Sequence, residues 1–484
     1  MKTNRFSLVI SILAFTLLLS SCAINPVTGK RQLMFMSESR EIRMGEEYDP
    51  QITAAFGLYE NEALQSLIEE KGREMGKISH RPELEYHFRI LDSPVINAFA
   101  VPGGYIYFTR GILAQFNNEA EMIGVLGHEM GHITARHTAS RQTKQTLGQL
   151  LLMGGMIASE EFRQYGELAM VGMQILFLSF SRADEREADM LGVEYASKIG
   201  YDAAQMADFY RVLMRMNLQS EQSGIPTWLS THPDPGDRYD DVRRDAEVWK
   251  DSLNIEEWTV NTERYLNLID GMVYGEDPRQ GFVEDNVFYH PDLEFMFPFP
   301  MDWKLENSPL QVRIAPDEGD ALMIFAFAKG NTLDEAANNT LNQLEVKVTD
   351  SRKTTVNGMP AIRVHAIQES QDQQNNLKIL SYFIEYGGKF YVFLGVSAEE
   401  DFDRFAGRFE TSMTSFNRLT DPSKLNVEPE RLKIIEVEHD ITLIEAFRVY
   451  GVPADRREEM AFLNNMELSD HVSAGTLLKI VDVK

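Results

Sequence analysis

At 484 residues, 43% of them hydrophobic, the chain is long enough for two or three domains. Its 74 acidic residues outnumber 47 basic ones, a formal charge of −27. That balance excludes nucleic acid as an expected partner, because phosphate binding needs a basic face. A single cysteine excludes an intramolecular disulfide and any zinc site built from several cysteines.

The chain opens on a targeting pattern, residues 1–21. Lys2 and Arg5 precede an apolar run from Phe6 to Leu19, about 14 residues long and short of the ~20 a membrane span needs. That is the shape of a signal-peptide core. Ser20 and Ser21 stand before Cys22 as in a bacterial lipobox, so Cys22 is expected to be lipidated and to anchor the mature chain to a membrane. Ala23 after it, rather than Asp, favours the outer membrane over the inner in a Gram-negative host.

Residues 22–250 read as mainly helical. Their one strong strand pattern, NAFAVPGGYIYF from Asn97 to Phe108, predicts a hairpin about Gly103 and Gly104. Residues 118–141 read NEAEMIGVLGHEMGHITARHTASR. Asn118 followed by Glu121 is a helix start, since the Asn side chain caps and the Glu reaches back. His128 and His132, four apart, project from one helix face and can share one Zn²⁺, with Glu129 beside them as general base. A catalytic zinc normally takes three protein ligands. The stretch SFSRADEREADMLG, residues 179–192, supplies Glu185 as the third and Asp189, on the same face, as acceptor for the free N–H of a ligand histidine. Spacing alone leaves Glu187 open in place of Glu185. His137, five residues past His132, is expected to point off the metal-binding face and to be structural or exposed. The apolar runs Leu147–Ala158 and Leu168–Phe180, about 12 and 13 residues, are too short to span a bilayer and read as buried helices.

Residues 251–290 read as a connector. From Pro291 the texture changes to alternating β patterns, with a hairpin about Gly387 and Gly388. Residues 291–420 are expected to form a β-rich α/β sandwich, vaguely similar to the PsbP/Mog1-like fold. The tail, 421–484, has strand–helix–helix–strand character and resembles a LysM module. Its entry turn, Asp440-Ile441-Thr442-Leu443, and an added stretch at Pro453–Met460 depart from that pattern. The tail is expected to contact peptidoglycan or another protein.

HEMGH, followed downstream by SR-x-x-E-x-x-x-D, resembles the zinc metallopeptidase family of the CAAX prenyl protease and HtpX type. The segments NPVTGKRQLMFMSESRE and NAFAVPGGYIYFTRGIL fit its soluble periplasmic lipoprotein branch, the β-barrel assembly-enhancing protease-like one. The resemblance covers residues 22–250. It implies a zincin-type peptidase domain with one Zn²⁺ held by His128, His132 and Glu185. It also implies a strand edge at Asn97 and Ala98 that pairs with extended substrate. Ser230-Thr231-His232-Pro233 matches a further element of the family, placed in a loop by Pro233, Pro235 and Gly236. There His232 either occupies the open zinc position in a latent state or hydrogen-bonds the oxyanion.

The expected molecule is thus multidomain α+β, a lipid-anchored, periplasm-facing zinc endopeptidase of the bacterial envelope that hydrolyses misfolded or stalled envelope proteins. The competing reading is a zinc-stabilised scaffold or chaperone, or a cell-wall-binding lipoprotein. Glu129 favours the enzyme, since a scaffold needs no general base.

Overall fold

A computed structural model describes residues 22–143, 180–219, 228, 232, 235–369 and 376–482. The targeting segment 1–21, the apolar runs up to residue 179, and Ser230, Thr231 and Pro233 lie outside the described residues. The chain divides into two compact units. One comprises residues 1–53, 57–275 and 430–484, the other 54–56 and 276–429.

In the first unit a short ribbon, β1 (Cys22–Ile24) against β2 (Arg31–Leu33), precedes two helices, α1 (Glu38–Phe56) and α2 (Glu62–Ile78). Ser37 and Asn61 cap them, each accepting a first-turn N–H. A three-stranded sheet follows: β3 (His87–Leu91), β4 (Ala98–Val101) and β5 (Tyr105–Thr109), in the order β3–β5–β4 with β4 at the edge. The expected hairpin joins β4 to β5. Gly103 and Gly104 there have φ of +93° and +100°, and a Cβ on Gly104 would fall 2.2 Å from the Glu85 carbonyl oxygen, so only glycine fits.

Strand β5 runs directly into α3 (Arg110–Gln115), capped by Thr109. Asn118 then caps α4 (Glu119–Thr134), its Oδ1 accepting from Glu121 N–H at 2.8 Å. Every residue of α4 is buried, so this helix is the spine of the unit. Helix α5 (Arg182–Lys198) starts at a Ser181–Asp184 capping box and packs against α4. The crossing depends on glycine: a Cβ on Gly192 would lie 2.8 Å from His128 N, and one on Gly127 would lie 2.8 Å from Gly192 O. Backbone therefore meets backbone at the level of His128. Helices α6 (Gln205–Gln219), α7 (Pro235–Ser252) and α8 (Thr262–Ile269) follow. Helix α8 lies within the stretch read as a connector, yet it buries Tyr265, Leu266 and Ile269 in the core of this unit.

The second unit is built on a seven-stranded antiparallel sheet. Its spatial order is Lys347–Val356, Met359–Gln368, Leu377–Tyr386, Lys389–Ala398, Ala321–Phe327, Gln311–Pro316, Trp303–Asn307. Alternate residues of Leu377–Tyr386 enter two cores, as the two-residue side-chain period of a strand requires. Ile379 and Phe383 pack with Ala336 and Leu341 of helix Leu333–Gln343. Leu380, Tyr382 and Ile384 pack with Phe402, Phe405 and Phe409 of helix Phe402–Thr414.

The chain then returns to the first unit as β6 (Arg431–Glu436), α9 (Leu443–Val449), α10 (Arg457–Leu463) and β7 (Leu477–Asp482), with β6 and β7 paired antiparallel. Leu432, Phe447 and Leu478 share one apolar core with Leu113 and Phe209. Lys479 on β7 is 0% exposed. Its Nζ donates to the carbonyls of Ala114, Gln115 and Phe116 at 2.9, 3.0 and 2.9 Å. These are carbonyls that the end of α3 leaves without helical partners, and a cation is favoured there.

Candidate metal centre

Where α4 and α5 cross, one donor atom each from His128, His132, Glu185 and His232 lie within 4.8 Å of one another, and all four residues are buried. The Nε2 atoms of His128 and His132 are 3.1 Å apart. Glu185 Oε2 stands 3.7 Å from the first and Oε1 3.6 Å from the second. Burial lowers the imidazole of His128 and holds that of His132 well below its ordinary value, so both are neutral. His128 Nδ1 lies 2.8 Å from Asp189 Oδ1. A carboxylate only accepts, so Nδ1 carries the proton and Nε2 is a bare lone pair. His137 Nδ1 stands 2.9 Å from His132 Nδ1.

The bare Nε2 of His128 and the Glu185 carboxylate thus converge on His132 Nε2. Such donors repel one another unless a proton or a cation lies among them. Nitrogens at about 2.0–2.1 Å from a shared zinc ion suit this spacing, so the donor set fits the metal. Glu187 Oε2 instead lies 3.1 Å from His137 Nε2. Of the two glutamates that spacing left open, Glu185 is the one that joins the histidines.

Both carboxylate oxygens of Glu129 are buried with no hydrogen-bond partner among the described residues. Burial pushes this carboxyl up to about 7, against the pull of His232, whose Nε2 is 3.8 Å from Oε1. A group that titrates near working pH can take a proton and give it back.

His232 Nδ1 lies 3.1 and 3.2 Å from the two Glu185 oxygens and 3.3 Å from His128 Nε2. Burial alone would lower this imidazole, but the Glu185 carboxylate more than offsets it and the net shift is upward. The buried Trp228 ring stacks on His232, centroids 4.0 Å apart, and the Trp228 backbone N–H donates to Ile96 O at 3.2 Å. The segment bearing His232 is therefore tied to the chain just before β4. Pro235 and Gly236, expected in a loop, instead form the first turn of α7, a position that suits proline because its missing N–H has no helical partner there.

Several residues that sequence reasoning missed complete the centre. Arg238, on α7, donates from Nε to Asp189 Oδ2 and from Nη2 to Oδ1, both at 2.6 Å, while Nη1 is 2.7 Å from Glu185 Oε2. Burial alone would raise the Asp189 carboxyl; the Arg238 guanidinium overrides it and holds the group well below the usual carboxylate range. Tyr210 on α6 accepts from Arg238 Nη2 and donates to Asp189 Oδ1, each at 2.6 Å. Phe180 stacks on His132, centroids 3.9 Å apart. Arg238, Tyr210 and Trp228 sit on separate segments and belong to no local motif, so nothing in the order of residues flags them.

Two sequence expectations are sharpened by the contacts. His137 stays off the metal-binding face but is not exposed: it is buried against His132 Nδ1, the ring nitrogen opposite the one that joins the donor set. Helix α4 ends at Thr134, and Arg136 at φ 59° turns the chain so that the His137 ring comes back beside His132. Asn97 is also not free for substrate pairing through its backbone. Its N–H donates to Thr109 Oγ1 at 3.1 Å, and its carbonyl accepts from Thr109 N and Oγ1 at 3.0 and 2.8 Å. The alternation of an antiparallel ladder then turns the polar groups of Ala98 and Ala100, not Asn97, outward along the β4 edge.

The model of Peptidase family M48 matches residues 60–246. A β-barrel assembly-enhancing protease of Yersinia pestis is 29% identical over 314 residues, covering 63% of this chain and 59% of that protein. The mitochondrial metalloendopeptidase OMA1 of Arabidopsis thaliana is 30% identical over 177 residues, covering 37% of this chain and 35% of that one. The chain thus spans less than two thirds of the length of either relative. Among solved structures, the cyanobacterial PsbP of Synechocystis sp. PCC 6803 is similar over 27% of this chain and 91% of that one, at 14% identity and a TM-score of 0.23, too low to support an argument. The span similar to peptidase family M48, residues 60–246, contains every residue of the buried centre, from His128 to Arg238.

Proposed function

We propose that this protein is a zinc-dependent endopeptidase of the bacterial envelope, active in quality control of misfolded or stalled envelope proteins. The observation that carries the reading is the pairing of a buried, convergent donor set, His128, His132 and Glu185, with the buried Glu129 carboxylate beside it. When bound, Zn²⁺ supplies Lewis-acid polarisation of the scissile carbonyl and makes water a better nucleophile near neutral pH. The chain does the rest. Asp189 and Arg238 fix the orientation of His128 and Glu185. Glu129 accepts the proton of the attacking water and returns it to the leaving amine. The outward groups of Ala98 and Ala100 suit an extended substrate added along the β4 edge. The approach of His232 Nδ1 to Glu185 supports a resting state in which His232 shares the metal; oxyanion stabilisation is its alternative role.

The lipidated Cys22, the outer membrane as address, and a LysM-like tail that contacts peptidoglycan or protein belong to the same reading. They rest on the lipobox residues and on the strand–helix–helix–strand order of residues 431–482. A zinc-stabilised scaffold would need the ligands but not Glu129. Glu129→Gln should keep zinc and fold yet lose casein cleavage by a factor of at least ~10². Full cleavage by the zinc-loaded Glu129→Gln protein rejects the peptidase mechanism.

A further inference from the structure

We propose that His137 and Glu187 form a relay that positions the metal ligand His132, so that each of the two histidine ligands on α4 has its own supporting carboxylate, direct for His128 and one ring removed for His132. The inference rests on the metal reading above.

Two Nδ1 atoms at 2.9 Å form a hydrogen bond only if one donates and the other accepts. His132 turns its Nε2 toward His128 Nε2 and Glu185. To bind a cation that nitrogen must be bare, so the proton of the neutral His132 ring sits on Nδ1 and His132 donates to His137. His137 Nδ1 is then the acceptor, and its own proton is on Nε2, which faces Glu187 Oε2 at 3.1 Å. Asp184 Oδ1, at 3.9 Å, is too far to replace it. The chain Glu187–His137–His132 therefore has one consistent proton assignment, and it leaves His132 in the tautomer that ligates.

The backbone is arranged to the same end. In a continued helix, residues five apart diverge by roughly 140° around the axis. The left-handed Arg136 removes that divergence. It is held by its own hydrogen bonds, Nε to Glu41 Oε1 at 2.8 Å and Nη2 to Met36 O at 2.9 Å. A non-glycine residue in that conformation costs of order 1 kcal/mol, a cost accepted here where it brings His137 to the ligand. The two supports differ in setting. Asp189 is buried and clamped by Arg238, whereas the Glu187 side chain is 24% exposed.

The test uses the purified full chain, with zinc affinity measured by chelator competition and ligand geometry by the visible spectrum of the Co²⁺-substituted protein. His137→Leu removes the acceptor and should weaken zinc by about 10–100-fold and alter the cobalt spectrum. His137→Gln offers a carbonyl to His132 and an amide to Glu187, and should recover most of both. Glu187→Gln, at a partly exposed position, should weaken zinc by a smaller factor with an unchanged metal-free melting temperature. If His137→Leu does not fold, Glu187→Gln and His137→Gln carry the test. Wild-type zinc affinity and cobalt spectrum in both His137→Leu and Glu187→Gln would overturn the relay, as would a loss that His137→Gln does not restore and Glu187→Gln does not share. Glu185→Ala run in parallel separates the two readings. If it too kept wild-type affinity, the metal centre itself would be misassigned; if it alone lost zinc, only the relay would fail.

Discussion

Asp189 faces three partners at once: His128 Nδ1, the Arg238 guanidinium and the Tyr210 hydroxyl, all at 2.6–2.8 Å. Burial works against its charge and Arg238 prevails, so the folded-state carboxyl lies well below its unfolded value. A carboxylate depressed in this way contributes stability that is complete above the unfolded pKa of about 3.9 and is lost as pH falls toward the folded one. Asp189→Asn should therefore lower the stability of the metal-free protein at pH 7 by on the order of 3 kcal/mol, because Arg238 stays buried with half its partners removed. It should also flatten the fall of melting temperature as pH drops from about 5 toward about 2. Melting curves across that range check both parts, and a variant with an unaltered acid limb would show that Asp189 is not the group responsible. The shared placement of His128, Glu129 and His132 was legible because they lie on one turn of one helix, where spacing dictates direction. Asp189 was legible as a partner for the same reason. Arg238 and Tyr210 were not, because their places depend on how α6 and α7 pack.

Helices α4 and α5 bring the two halves of the donor set together, and glycine sets how closely they approach. A Cβ on Gly192 would lie 2.8 Å from His128 N and 3.1 Å from its Cα, and backbone cannot swing aside as a side chain can. Gly192→Ala should cost about 1–3 kcal/mol and push Glu185 away from the histidines, weakening zinc. Gly407, inside helix Phe402–Thr414, has open space where its Cβ would be. Gly407→Ala should be neutral or stabilising by up to ~1 kcal/mol and leave zinc affinity alone. Equal effects of the two changes on melting temperature and zinc titration would refute the close-crossing account. At this scale the sequence was informative about the existence of elements. The capped start of α4 at Asn118 and the hairpins about Gly103 and Gly387 all form, because local chemistry decides them. It was less informative about where elements end. The return of the His137 ring to the back of His132 was not legible, because a left-handed arginine leaves no mark in a hydrophobic pattern.

The two units differ in how they use the chain. The second draws on one interval, 276–429, apart from three residues, and most strands of its sheet pair with a neighbour in sequence. The first is discontinuous, and its tail enters the same core as the metal helix. Lys479 is the polar link: an ammonium has three protons, and three carbonyls of the α3 end receive them. Lys479→Met keeps the length and apolar stem but leaves those acceptors buried without a donor. It should lower the stability of the first unit by about 3 kcal/mol and shift its unfolding, followed by melting with and without zinc, below that of Lys479→Arg. A Lys479→Met protein as stable as wild type would reduce the tail to an appendage. The expected division into a peptidase region, a connector and two modules rests on composition, and composition cannot show that a tail returns across an intervening unit.

That return sets an order in time. The carbonyls that Lys479 closes on lie 363 to 365 residues earlier in the chain. As the polypeptide emerges from its N-terminal side, the α4 segment is available long before the residues that complete its surroundings. Loop-closure entropy rises only logarithmically with loop length, and an interval that has already folded into a unit of its own shortens the free loop further. Waiting, more than closure entropy, is therefore what separates the emergence of HEMGH from the assembly of a competent centre. A chain interrupted before Lys479 is left with the ligand motif but an open core, so the surroundings of the donor set are completed only after the polypeptide has been made through its tail.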